Sequence, residues 1–111
     1  HNSAHHTIEG SYTSQFDQMF RILVGLPLGS TTFRDPAVMI NLVGPEEGEG
    51  AYYLENLEEI LEIEGVYIHM YGKTTSKPHR KLGHATIIND SIKKAKEIAD
   101  FVESTLKVKI I

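Results

Sequence analysis

At 111 residues and 12.4 kDa, the chain has room for one modest core and not for two ordinary domains. Its composition, 41% hydrophobic and 23% charged, is that of a folded globular segment, and the absence of Cys excludes a disulfide scaffold, a thiolate metal site, an iron–sulfur cluster and a cysteine nucleophile. A formal net charge of −4 argues against a dedicated nucleic-acid binder, whose affinity comes from Lys and Arg on phosphates.

Residues 1–10 show no sustained apolar period and read as a loop or a short edge strand. Thr13 or Ser14 then caps a helix, with Asp17 as a short capping-box partner. Phe16, Met19, Phe20 and Leu23 fall on one face of that helix and fit core packing, and Gly25 and Pro27 stop it. After the Asp35-Pro36 break, the nearly continuous apolar run 37–43 has the form of a strand covered on both faces. A Gly-, Pro- and Glu-rich loop follows over 44–50, and Leu54, Leu57, Ile60 and Leu61 predict a short helix from Leu54 to Ile63, closed by Gly65.

Val66, Ile68 and Met70 alternate with Tyr67, His69 and Tyr71, and Leu82, His84, Thr86 and Ile88 alternate with Gly83, Ala85 and Ile87. These are two strands, expected to pair as a hairpin by their position, joined through a basic loop. His69 and His84 read as half-buried, hydrogen-bonded strand histidines. Asn89, Asp90 or Ser91 caps a last helix with the apolar face Ile92, Ala95, Ala99, Val102 and Leu106, and a strand over 108–111 ends the chain. The order of helix, strand, helix, strand, strand, helix, strand indicates an α+β unit. No apolar run approaches a membrane span and no export signal opens the chain, so the expected location is cytoplasmic.

Charge falls in two opposite blocks. Eight carboxylates and no Lys or Arg lie between Gly44 and Glu64, a composition expected of a solvated helix face and loop; four cations, Lys73, Lys77, Arg80 and Lys81, and no acid lie between Lys73 and Lys81. Pairing the flanking strands draws Lys73, Arg80 and Lys81 toward one point at the hairpin mouth, an arrangement suited to a phosphate monoester: Lys supplies a point charge and Arg a planar fork. The amino-terminal His1, His5 and His6 lack a completing carboxylate other than Glu9, so no metal site is assigned to them. His1 and Asn2 can instead serve as a base near neutral pH and a fixed donor and acceptor in a cleft.

Taken in order, HNSAHHTIEG, TSQFDQMFRILVGLPLG, PAVMINLVG, YGK and KPHRKLGHATI resemble the carboxy-terminal third of the ATP-grasp 5-(carboxyamino)imidazole ribonucleotide synthase family, the ATPase subunit of phosphoribosylaminoimidazole carboxylase. The likeness weakens over 44–64 and after Asn89. It implies that residues 1–34 close an ATP-grasp domain and that residues 35–111 form a small barrel-sandwich-like domain. It also implies a reaction of purine biosynthesis: ATP phosphorylates bicarbonate, and the carboxyl group passes to the amine of aminoimidazole ribonucleotide.

On this resemblance His1 and Asn2 match the His-Asn of the family's HNSGH motif, with His1 expected to transfer a proton and Asn2 to orient the substrate. Lys73, Arg80 and Lys81 match the ribonucleotide phosphate site. Ala4, Lys77, His79 and Leu82 depart from the family pattern, His79 standing where Gly is usual. The family's ATP and magnesium ligands lie upstream of the present His1, so this chain alone is expected to be a fragment without turnover, binding neither cofactor. A homodimer is expected of the longer protein. The alternatives are a noncatalytic sugar-phosphate-binding module and a related ATP-grasp enzyme that formylates glycinamide ribonucleotide.

Overall fold

The computed structural model describes residues 3–111. A 3-10 turn, Ser3–His6, runs into the short helix α1, Thr7–Gly10, where the sequence predicts loop or strand. Local hydrogen bonding explains the difference. The Thr7 hydroxyl donates to the Ala4 carbonyl and accepts from the Gln15 amide, so its side chain ties two turns together. Helix α2, Gln15–Val24, begins at the Ser14 cap, whose Oγ accepts from the Asp17 amide at 3.0 Å, and ends at Gly25 in the left-handed conformation. Its apolar face is not core: Met19 is 56% and Leu23 76% exposed, and no residue of the helix is buried among the described residues.

Strands β1, Ala37–Val43; β3, Val66–Met70; and β4, Lys81–Ile88, form one antiparallel sheet in the order β1-β4-β3. Strand β2, Tyr52–Glu55, and β5, Lys107–Ile110, form a separate antiparallel pair. In chain order α3, Leu57–Leu61, connects β2 to β3, and α4, Ile92–Thr105, connects β4 to β5. The predicted helix from Leu54 therefore starts later. Leu54 pairs with Val108 in a strand, and Asn56, at φ 67°, separates strand from helix because a left-handed residue continues neither.

Parity along β4 assigns the two faces of the central sheet. Ala85 and Ile87 join Val66, Ile60 and the α4 residues Ala95, Ala99 and Val102 in the core. His84 and Thr86 point to the other face, where the amino-terminal segment lies. Residues 82–87 are accordingly all buried. Carboxylates of the acidic block are exposed apart from Glu55, as expected of a solvated surface. Among the described residues no helix is long and apolar enough to cross a membrane.

Candidate functional site

Hairpin geometry places the basic residues. Register runs from Val66↔Ile87 to Met70↔Gly83, and the Tyr71 amide donates to the Leu82 carbonyl at 2.9 Å. Gly72, at φ 79°, then turns the chain outward. Lys73 Nζ reaches back across the mouth and donates to the Lys81 carbonyl at 2.6 Å, while the Lys73 carbonyl accepts from Tyr52 Oη at 2.7 Å. The Arg80 guanidinium turns instead into the loop, donating to the Thr75 carbonyl at 3.2 Å. Lys73 and the Lys81 backbone are thus brought together, whereas Arg80 turns one amino group into its own loop and leaves its other N–H donors outside that bond. With one of three N–H donors used on a carbonyl, the Lys73 ammonium keeps two for an anion.

The loop is strapped rather than free. Gly50 and Ser76 exchange two backbone hydrogen bonds of 2.9 and 2.7 Å, the Gly44 amide donates to Arg80 O at 2.9 Å, and the His79 amide donates to Gly44 O at 3.2 Å. Within the loop the Arg80 amide bonds to Lys77 O at 3.0 Å, with Pro78 second and His79 at φ 60° third. That is the sequence form of a type II turn, whose third position favours Gly. His79→Gly is expected to raise stability by about 0.5–1 kcal/mol, the relief of left-handed strain exceeding the chain-entropy cost. Urea unfolding checks this; a destabilised variant would show that the imidazole contributes packing that outweighs the strain.

Behind the hairpin lies a cluster that sequence reasoning missed. Glu9 Oε1 and His69 Nε2 are 2.8 Å apart, the rings of His69 and His84 stack with centroids 4.7 Å apart, and Tyr71 Oη meets His84 Nδ1 at 2.9 Å. His5 packs edge-on against His84 at 4.8 Å and against Phe16 at 5.1 Å. His84 is 1% exposed, and its Nε2 and the Nδ1 of His5 make no hydrogen bond among the described residues. Burial, followed by the neighbouring His69 and His5 rings, lowers the His84 pKa from 6.5 to about 4. It is therefore neutral near pH 7.

Donor atoms of Glu9, His69 and His84 lie within 4.8 Å of one another. The two rings are only 21° from parallel. Since an imidazole lone pair lies in its ring plane, a metal in the plane of one stacked ring lies well outside that of the other, and as folded the cluster is a hydrogen-bonded stack instead of a ligand set. Period-2 parity puts His69 and His84 on one face in the sequence, and their pairing in register follows from the hairpin. Glu9, sixty residues away, leaves no such signal. His1 and Asn2 lie outside the described residues.

Residues 37–98 match the family described as the phosphoribosylaminoimidazole carboxylase C-terminal domain. The chain belongs to that family. Residues of this carboxylase C-terminal domain family in the present chain include both strands of the basic hairpin and the Lys73–Lys81 loop between them. The chain is 38% identical over 107 residues to the N5-carboxyaminoimidazole ribonucleotide synthase of Aquifex aeolicus, covering 96% of this chain and 28% of that protein. It is 42% identical over 95 residues to the chloroplastic phosphoribosylaminoimidazole carboxylase of Vigna aconitifolia, covering 83% of this chain and 17% of that one. In structure it resembles the N5-carboxyaminoimidazole ribonucleotide synthetase of Thermotoga maritima, with a TM-score of 0.92 and 48% identity over 97% of this chain and 30% of that one. The Aspergillus clavatus synthase, solved in complex with ADP and 5-aminoimidazole ribonucleotide, gives a TM-score of 0.73 and 32% identity over 93% of this chain and 29% of that one. The chain thus spans less than a third of the length of each of these relatives.

Proposed function

We propose that this chain is the substrate-phosphate end of an ATP-dependent ligase that carboxylates 5-aminoimidazole ribonucleotide with bicarbonate, giving N5-carboxyaminoimidazole ribonucleotide in purine biosynthesis. The observation that carries this reading is the likeness, over 97% of the chain, to a solved synthetase. Residues 1–34 are the end of an ATP-grasp domain, and residues 35–111 a barrel-sandwich-like carboxy-terminal domain. The uncovered apolar face of α2 suits packing against the remainder of such an ATP-grasp domain. The longer protein is a cytoplasmic homodimer.

Lys73, with Lys81 and Arg80, holds the ribonucleotide phosphate. His1 transfers a proton near the reacting amine, and Asn2 orients it. An activated carboxyl group is short-lived in water, so a grip on the phosphate, far from the amine, holds the nucleophile in place without occupying the reacting centre. Magnesium requires oxygen ligands in near-octahedral array. The grouped donors among the described residues are one carboxylate and two imidazoles, which do not fit it. Magnesium and ATP are assigned to residues outside these 111, and the chain alone does not turn over.

Calorimetric titration of the chain with 5-aminoimidazole ribonucleotide and with ribose 5-phosphate tests the reading. Tighter binding of the aminoimidazole compound is expected. Equal binding of both would favour a general sugar-phosphate module, and binding of neither would overturn the assignment. Lys73→Ala is expected to weaken binding of the aminoimidazole compound about tenfold, the usual worth of a charge-assisted hydrogen bond. An affinity within twofold of the unmodified chain would remove Lys73 from the site.

A further inference from the structure

A path of side chains in contact runs from the amino-terminal segment to Tyr71, beside the basic hairpin. It starts at Glu9, passes through the 2.8 Å contact to His69, crosses the stack to His84, and leaves by the 2.9 Å bond from His84 to Tyr71. Lys73 Nζ lies over the Tyr71 ring, 6.0 Å from its centroid. His5 flanks the path, touching both His84 and Tyr71. We propose that His84, acting through Tyr71, is a positioning residue for the Lys73 ammonium, and that Glu9 and His5 brace the His69, His84 and Tyr71 side chains that set this position. The inference rests on the reading of the hairpin as a phosphate site.

Physical chemistry favours positioning over simple packing. An apolar side chain at 84 would fill the space without burying an unsatisfied Nε2, which is costly in a low-dielectric interior. What the imidazole adds is a directed bond that fixes the Tyr71 phenol, and the hydroxyl can serve as donor or acceptor, so the bond survives in either neutral tautomer. The Lys81 carbonyl then holds the ammonium by a hydrogen bond, and the Tyr71 ring faces it at the outer range of a cation–π attraction. His84 is neutral near pH 7, so it acts by orientation and adds no charge to the anion site.

The whole 111-residue chain is the test system, with Tyr71→Phe, which keeps the ring and removes only the hydroxyl, and Glu9→Gln, which alters the far end of the path. Two readouts are used: the carbon–proton NMR signal of the Lys73 ε-methylene, assigned by its loss in Lys73→Arg, and titration with ribose 5-phosphate. Both variants are expected to shift the Lys73 signal, and ribose 5-phosphate affinity is expected to fall about fivefold in each. A Lys73 signal unmoved by Glu9→Gln in a folded chain, as judged by circular dichroism, overturns the proposal, because a purely structural role for Glu9 would change stability without reaching Lys73. Should Tyr71→Phe fail to fold, Glu9→Gln alone decides. An unmodified chain that ignores ribose 5-phosphate but whose Lys73 signal responds to Glu9→Gln supports the positioning path while refuting the phosphate reading of the hairpin.

Discussion

Acidification is expected to destabilise the chain by on the order of 3 kcal/mol through His84 alone, the span between its ordinary pKa of 6.5 and its folded value of about 4. The sign follows from proton uptake. With the folded pKa depressed, the unfolded chain binds a proton at residue 84 in a window where the folded chain does not. Stability is therefore complete above pH 6.5 and is lost progressively as pH falls toward 4. The charged form is opposed first by burial and then by His69 and His5, which face it from β3 and from the amino-terminal turn. Tyr71 offers only a hydroxyl, and Glu9 is engaged by His69. Urea unfolding at about pH 7 and about pH 5, compared between the unmodified chain and His84→Gln, isolates the effect, since most surface carboxylates remain ionised across that interval. An equal loss of stability in both proteins would place the acid sensitivity elsewhere.

Regular elements were legible where one period governed a stretch. Strand β3 alternates Val66, Ile68 and Met70 with Tyr67 and His69, the Ser14 and Ser91 caps use their hydroxyls as expected, and Gly25 ends α2 in the conformation that Gly adopts without cost. Leu54 failed because an apolar residue spaced three from Leu57 fits a helix and an edge strand alike, and the left-handed Asn56 that separates them has no distinctive periodicity. In the first ten residues, side-chain hydrogen bonds of Thr7, not an apolar repeat, stabilise the turns. The basic hairpin was legible as a unit, yet the divergence of Arg80 from Lys73 was not, because it depends on whether a guanidinium finds a carbonyl inside its own loop. Glu9 was beyond reach for a related reason: its partner is set by how the amino-terminal segment crosses the sheet, a tertiary fact with no local code.

Gly44→Ala is expected to destabilise the chain by about 3 kcal/mol and to release the basic loop. A methyl at this position would be driven into the Lys77 carbonyl and the Ser76 hydroxyl. The nearer obstacle is backbone, which cannot rotate aside as a side-chain end does. Gly44 also bonds in both directions, its amide to Arg80 O and its carbonyl to the His79 amide, so moving it disconnects both anchors of the Lys77–Arg80 turn. Ser76, 2% exposed, sits beneath that turn and is paired with Gly50; once the strap lifts, water reaches it and the loop loses a fixed path between Lys73 and Lys81. Ligand affinity should therefore fall together with the urea midpoint, whereas Ser76→Ala, which removes only an unbonded hydroxyl, should leave both nearly unchanged. Retention of the full urea midpoint by Gly44→Ala would mean that the acidic and basic loops are not braced against each other. The opposed charge blocks would then be neighbours in sequence composition alone. With the brace in place, the backbone of the acidic segment, and not its carboxylates, holds the cationic loop in shape.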